Sequence, residues 1–194
     1  MFYTLVGSIN TMKIFFNQFK RINSEPLEKS NLVWSWIGSF LGILAISYFH
    51  KHILADKDLT LVIGSFGASA VLVYGAVNSP LAQPRNLIGG HILSAFIGVL
   101  SYKLFSQNPL LASAIAVSTS ILIMQLTLTL HPPGGATALI AVIGSNQIHE
   151  LGFLYVIIPV LSGSIILFLI AFIINNIPKH RHYPASFKKD NKRF

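Results

Sequence analysis

Cysteine is absent from the 194 residues of this chain, and charged residues make up only 10% of it. The first absence excludes disulfide bonds, thiolate catalysis, zinc sites built on thiolates and iron–sulfur clusters held by cysteine. The second is well below the share in soluble domains, where about a quarter of residues are charged. The low share of charged residues, a hydrophobic content of 53% and a mean hydropathy of +0.64 together predict a polytopic membrane protein.

Acidic residues are missing from the interior of the apolar runs. All six lie outside those runs or at their ends, so we expect no buried carboxylate. A cation pathway through a membrane usually contains a buried carboxylate. Metal sites with carboxylate ligands and hydrolases that use paired carboxylates also need such groups. The pattern argues against a cation transporter and against an enzyme, and we expect no cofactor.

The formal charge of +8 is concentrated near the two ends of the chain. We predict an amphipathic, interfacial segment over residues 1–30 and a basic cytoplasmic tail over 178–194. The positive-inside rule then places both termini in the cytoplasm, in contact with anionic lipid. Nucleic-acid binding is not expected, because it needs basic residues interleaved with exposed aromatic ones on a folded face.

Two prolines and two glycines interrupt the apolar sequence at His131–Gly135. Proline lacks an amide hydrogen and clashes with the preceding turn, while glycine leaves the backbone uncovered. We predict a break there, made by Pro132 and Pro133, followed by a short apolar helix. Irregular backbone at membrane depth is tolerated where protein buries it or where it lines a cavity, so this break is a candidate functional site. A plain loop between two helices is the alternative.

A short internal repeat appears when the chain is shifted so that Gly67–Leu72 falls on Gly135–Ile140. We predict an all-α membrane domain over residues 31–177, built of two three-element repeats at about 31–105 and 109–177. Each repeat would contain a discontinuous or re-entrant helix broken near the midplane, with the first break at Gly64. Two basic ends require an even number of crossings. Four and six both fit, and the loop charges favour six.

Broken helices of this kind present their N-termini to the middle of the bilayer. First-turn N–H groups lack helical partners and carry partial positive charge, so they favour an anion. Nearby hydroxyl groups would add hydrogen-bond donors. The candidate substrate site therefore comprises Ser65, Gly67, Ser69, His131, Gly134, Gly135 and Thr137.

Two histidines lie well inside the apolar runs. His131 adjoins the predicted break and titrates near neutral pH, so gating or coupling and a structural role are both open. His91 lies near the start of a predicted span, where we expect packing or a satisfied hydrogen bond.

The sequence around the break, His-Pro-Pro-Gly-Gly-Ala-Thr-Ala at 131–138, resembles the HPP family of integral membrane proteins. Gly-Ala-Ser-Ala at 67–70 and Gln-Pro-Arg-Asn at 83–86 strengthen the resemblance, which covers roughly residues 30–177. Family members in cyanobacteria and plastids are associated with nitrite transport. The resemblance implies that this chain moves nitrite or a similar small monovalent anion, in a bacterial, including cyanobacterial, inner membrane.

Two other functions remain open from the sequence. Histidines at 50 and 52 and at 180 and 182 could serve a membrane metalloprotein. Glycine pairs such as Gly38 and Gly42 could instead serve helix packing in a structural or assembly protein, and small residues on helix faces are compatible with a homo-oligomer. Bound metal, or a stable partner without anion flux, would favour these alternatives over transport.

Overall fold

The computed structural model describes residues 28–51, 53–54 and 56–185, with the side chain of Lys57 excepted. The predicted amphipathic segment lies almost entirely outside the described residues, as does the tail from residue 186 onward. Two compact units make up the chain, Met1–Leu32 and Val33–Phe194. All contacts given below lie within the second unit.

The described residues form helices and turns without a strand, as the sequence predicts. Apolar stretches with proline at their first positions give several of these helices sharp starts, because proline there loses no hydrogen bond. The α-helices are α1 (Lys29–His50), α2 (Asp56–Ala70), α3 (Pro84–Phe105), α4 (Pro109–Leu126), α5 (Pro132–Ile143), α6 (Asn146–Leu151) and α7 (Ser162–Ile174). π-helical turns extend α2 through Val71–Gly75 and precede α7 at Val156–Leu161, and a 3-10 turn covers Pro80–Ala82.

Five helical segments in the described part of the chain are long and apolar enough to cross a membrane, which confirms a polytopic membrane protein. These segments are Lys29–His50, Asp58–Gly75, Pro84–Phe105, Pro109–Leu126 and Val156–Ile174. Helix α5 has only 12 residues. At 1.5 Å per residue it is about 18 Å long, well short of a hydrocarbon core of about 30 Å.

Loop contacts define two ends of the bundle. At the first, here called the Tyr183 end, the Tyr183 hydroxyl donates to the carbonyl of Ala82 at 2.8 Å. At the second, the Asp58 end, the Asp58 carboxylate accepts from the Ser145 N–H at 2.9 Å. The Tyr183 end comprises residues 76–83, 127–131 and 175–185, and the Asp58 end comprises 50–51, 53–54, 56–58, 105–109 and 143–155. Successive apolar helices therefore run in alternate directions between these two ends.

Residues 178–185 fold back onto the Tyr183 end. The buried guanidinium of Arg181 donates to Ser35 Oγ at 2.9 Å and to Asn175 Oδ1 at 3.2 Å, which joins α1 to the end of α7. Burial raises the pKa of the Tyr183 hydroxyl above its usual value, so this group stays protonated and donates. The first part of the predicted tail is thus packed against the helices.

Asp58 contradicts the expectation that no carboxylate is buried. Its side chain is fully buried at the start of α2, where it accepts from both the N–H and the hydroxyl of Ser145. Burial is possible because charge-assisted hydrogen bonds compensate for lost hydration. The sequence shows Asp58 at the end of an apolar run but does not show that the loop before α6 covers it.

The two halves of the chain are not equivalent, and the predicted repeat is not confirmed. Helix α2 continues without interruption through Gly64 and Gly67, so the break predicted at Gly64 is wrong. Glycine inside a helix costs about 1 kcal/mol relative to alanine, but it keeps its N–H and causes no clash.

Candidate functional site

The chain does break before α5, between Thr127 and His131. Two side chains from the start of α3 compensate for the lost helical hydrogen bonds. Arg85 Nη2 donates to the carbonyl of Thr127 at 2.7 Å, and Asn86 Nδ2 donates to that of Leu130 at 2.8 Å. This gives the Pro-Arg-Asn sequence at the start of α3 a role, because backbone carbonyls left unpaired in a membrane are costly.

The prolines lie just beyond the observed break, not within it as predicted. Pro132 and Pro133 occupy the first two positions of α5, and Gly134 and Gly135 follow them within its first turn. The break therefore precedes Pro132 and was predicted about four residues too late. Proline is well suited to a helix start because its fixed φ fits the helix and its missing N–H would be unpaired there anyway.

The amide donors expected at this helix end are largely absent. Pro132 and Pro133 have no N–H, and the N–H of Gly134 donates to the carbonyl of His131 at 2.8 Å. Any ligand at the start of α5 would therefore meet side-chain donors rather than the bare first-turn amides predicted from the sequence.

Helices α3 and α5 approach each other closely through glycine. A Cβ atom on Gly90 would lie 2.5 Å from the Cβ of His131, and one on Gly98 would lie 2.5 Å from the carbonyl oxygen of Ala138. A Cβ on Gly134 would lie 2.7 Å from Ser94 Oγ and 3.0 Å from the carbonyl oxygen of Gly90. Only glycine permits this approach, which brings the polar residues of both helices together.

Two histidines meet on one serine hydroxyl in the middle of the bundle. Ser69 Oγ lies 2.8 Å from His91 Nε2 and 2.9 Å from His131 Nε2. The imidazole centroids are 4.9 Å apart, and Phe66 packs against His91 with a centroid distance of 4.8 Å. Ser69, His91 and His131 are each 0% exposed. The sequence predicted Ser69 and His131 at one site, and for His91 it predicted packing or a satisfied hydrogen bond.

Thr137 and Ser65 extend this contact into a network. Thr137 Oγ1 lies 2.7 Å from His91 Nδ1 and 2.8 Å from Ser65 Oγ. Ser65 Oγ also lies 3.1 Å from the carbonyl oxygen of Pro133. Three helices, α2, α3 and α5, thus contribute to one set of side chains, here called the central network: Ser65, Ser69, His91, His131 and Thr137.

The central network is anchored to backbone at both ends. His131 Nδ1 lies 2.8 Å from the carbonyl oxygen of Leu81, in the 3-10 turn at the Tyr183 end. On the other side, the hydroxyl of the fully buried Tyr155 donates to the carbonyl of Thr137 at 3.0 Å. Tyr155 was not identified from the sequence, where no pattern distinguishes it from the aromatic residues that anchor membrane helices.

The remaining predicted glycines lie outside the network. Gly67 lines a groove of about 340 Å³ beside α1, whereas Gly135 lines a groove of about 590 Å³ beside α4. A Cβ on Gly67 would meet nothing within 4 Å, and one on Gly135 would meet only Val117, at 3.8 Å. The predicted pairing of Gly67 with Gly135 at one anion site is therefore wrong, because their open faces point into different grooves. Gly134 contributes by packing.

Histidines near the helix ends do not join the central network. His50 is buried at the end of α1, and its Nε2 lies 3.0 Å from Ser162 Oγ. His52 lies outside the described residues. Among the described residues, no three His, Asp or Glu side chains come together as a group that could hold a metal ion.

Comparison with known proteins decides the family. Residues 24–184 match the family described as HPP, transmembrane region. The chain belongs to the HPP family. The matched region contains every helix described above, and the resemblance noted at residues 131–138 is confirmed.

Two curated relatives are transmembrane proteins of Dictyostelium discoideum. One is 43% identical over 176 residues, covering 88% of this chain and 56% of the relative. The other is 49% identical over 154 residues, covering 78% of this chain and 54% of the relative. The chain thus spans about half the length of these relatives. They come from a eukaryote, which contradicts the bacterial origin predicted from the sequence. No solved structure matches the chain.

Proposed function

We propose that this HPP protein carries a small monovalent anion across the membrane, with nitrite as the expected substrate, and that it is not an enzyme. The observation that carries the proposal is the central network, a set of hydroxyl and imidazole groups buried between α2, α3 and α5. Such groups can donate hydrogen bonds to an anion that has lost its water. Nitrite is expected from the family's association with nitrite transport.

The position of the central network supports this function. Ser65 and Ser69 lie in the interior of the helical segment 56–75, and the network adjoins the start of the short helix α5. Polar groups at such a depth are costly and usually mark a substrate or ion pathway. Among the described residues, no carboxylate is hydrogen-bonded to the network, which suits a negative substrate.

The charges at the two ends suggest an orientation. The Tyr183 end and the adjoining start of α3 carry Arg85, Lys179 and Arg181, whereas the Asp58 end and its flanking helix ends mix Lys51, Asp56, Lys57, Asp58, Lys103 and Glu150. By the positive-inside rule, the Tyr183 end faces the cytoplasm, where anionic lipid would contact its basic residues.

Flux into liposomes tests the proposed transport. We expect purified protein to admit nitrite faster than empty liposomes do, with nitrate, chloride and formate compared in the same assay. Thr137→Val keeps the shape of the side chain but leaves His91 Nδ1 without its hydrogen-bond partner. An unpaired buried group of this kind costs about 1–3 kcal/mol of free energy. Nitrite flux should fall by about tenfold or more.

Ser164→Ala is the matched control for this variant. Ser164 is equally buried, but its hydroxyl donates to the carbonyl of Val160 within its own helical segment. We expect flux close to wild type, and both variants should elute from size exclusion as the wild type does. Absence of flux for all four anions in the wild type, or unchanged flux in Thr137→Val, would contradict the proposal.

A further inference from the structure

The hydrogen-bond directions in the central network follow from one backbone carbonyl. The carbonyl of Leu81 can only accept, so His131 Nδ1, 2.8 Å away, must carry a proton. In a neutral imidazole the other nitrogen then has no proton, so His131 Nε2 accepts from the Ser69 hydroxyl. Ser69 has only one proton to give, and its oxygen must accept from His91 Nε2.

The hydrogen-bond directions on the far side of the network are fixed by His91. Because His91 carries its proton on Nε2, its Nδ1 accepts from the Thr137 hydroxyl at 2.7 Å. Thr137 Oγ1 in turn accepts from Ser65 at 2.8 Å. Every bond therefore points the same way, from Ser65 through Thr137, His91 and Ser69 to His131.

We propose that this aligned chain is a proton relay that moves one proton with each anion, an inference that rests on the proposed anion transport. Alignment is what a relay requires, since each group gives up one proton as it receives the next. A neighbouring positive charge also offsets the cost of burying a lone anion. The transported species would then be electrically neutral overall.

The step is balanced in protons and involves no oxidation. A proton from water at the Asp58 side reaches Ser65, which passes its own proton to Thr137, and Thr137 passes one to His91 Nδ1. His91 releases its Nε2 proton to Ser69, and Ser69 protonates His131 Nε2. His131 becomes an imidazolium and returns to neutral by releasing its Nδ1 proton to water at the Tyr183 end, beside the Leu81 carbonyl.

Ionisable groups on the surrounding elements could also respond to pH. Tyr155 precedes α7 and bonds to the carbonyl of Thr137, Asp58 starts α2 and is held by Ser145, and Arg85 starts α3. Tyr74 lies on the π-helical turn after α2, with its hydroxyl directed at Leu167. None of these side chains is hydrogen-bonded to a side chain of the network in the described structure.

Nitrogen-15 NMR of histidine-labelled protein in bilayers tests the relay without any transport. We expect opposite neutral tautomers, with the proton on Nδ1 in His131 and on Nε2 in His91. Ser69→Ala should shift the His131 Nε2 resonance, because that nitrogen loses its donor, and Ser164→Ala should leave it unchanged. The same tautomer in both histidines would overturn the proposal, as would an unmoved resonance in Ser69→Ala.

Voltage dependence tests coupling in the same liposomes used for flux. A potassium diffusion potential of about 100 mV alters the equilibrium accumulation of a lone anion by roughly fiftyfold. One proton per anion makes transport electroneutral, so we expect the wild-type nitrite accumulation to be insensitive to the potential and to follow an imposed pH gradient. Accumulation that follows the potential would overturn the relay while leaving anion transport intact. Absence of flux would instead contradict the proposed function and with it the coupling of a proton to an anion, whereas the tautomers would still decide whether the hydrogen bonds are aligned.

Discussion

Two stretches rich in small residues, Gly64–Gly67 in α2 and Pro132–Gly135 in α5, differ in what they do to the backbone. The first lies inside an unbroken helix and the second begins one. Proline accounts for the difference, because it removes a donor and clashes with the preceding turn, whereas glycine only weakens a helix. Both stretches nevertheless bring polar side chains to the same buried network, Ser65 from α2 and Thr137 from just after the second stretch.

Placing a proline in α2 should have the largest effect. Gly67→Pro removes an interior helical hydrogen bond and introduces a ring clash, which costs about 3 kcal/mol or more. We expect a matching loss in the free energy of unfolding measured in bicelles, together with loss of nitrite flux. Unfolding as stable as wild type would show that α2 tolerates a break, and the contrast with α5 would fail.

The tight contact between α3 and α5 should be the next most sensitive feature. A Cβ on Gly98 would lie 2.5 Å from the Ala138 carbonyl oxygen and 2.8 Å from its Cα, and backbone atoms cannot move aside easily. Gly98→Ala should therefore destabilise the protein by about 1–3 kcal/mol. Thermal unfolding in detergent measures the effect. A stability within error of wild type would mean that the two helices are less closely packed.

Removing a side chain that donates to the broken backbone should lower the free energy of unfolding by a smaller amount. Asn86→Ala removes the donor to the Leu130 carbonyl, a bond of 2.8 Å, and we expect a loss of about 1 kcal/mol. Arg85→Ala makes a useful comparison, because Arg85 is exposed and water can replace it on Thr127. Its unfolding free energy should change less than that of Asn86→Ala, and the reverse order would contradict this account of the break.

Gly67→Ala should have the smallest effect and the opposite sign. A Cβ there meets nothing within 4 Å, and alanine is favoured over glycine in a helix by up to about 1 kcal/mol. We expect unchanged or slightly raised stability, measured beside Gly67→Pro at the same position. A clear loss of stability would indicate that this open face of α2 is covered in the membrane.

Much of the fold could be predicted from the sequence because it depends on local features. Apolar runs fixed the class of protein and the approximate spans, and Pro132 indicated a helix start near the right place. The predicted α2 break failed because glycine content alone does not distinguish a weakened helix from a broken one. The repeat drawn from Gly67 and Gly135 is not confirmed, since a short match between apolar segments carries little structural information.

The candidate site was predicted in part, and the reason is geometric. Ser65, Ser69, His131 and Thr137 were selected for proximity to two expected helix ends, yet they meet because α3 and α5 pack closely at Gly90 and Gly98. His91 joins them from α3, and its partners lie up to 46 residues away in the chain. Contacts at such separation leave no periodic signal, so neither His91 nor Tyr155 could be assigned to the network beforehand.

The folded segment 178–185 affects where the membrane domain of a longer relative can be truncated or fused. Tyr183 is hydrogen-bonded to the 3-10 turn that precedes α3, and Arg181 is hydrogen-bonded to α1. The folded unit therefore extends beyond the end of its last apolar helix. The family match ends at residue 184, in the same place. A truncation or fusion joint at residue 177 would remove the contacts of Arg181 and Tyr183, whereas a joint after residue 185 would keep them.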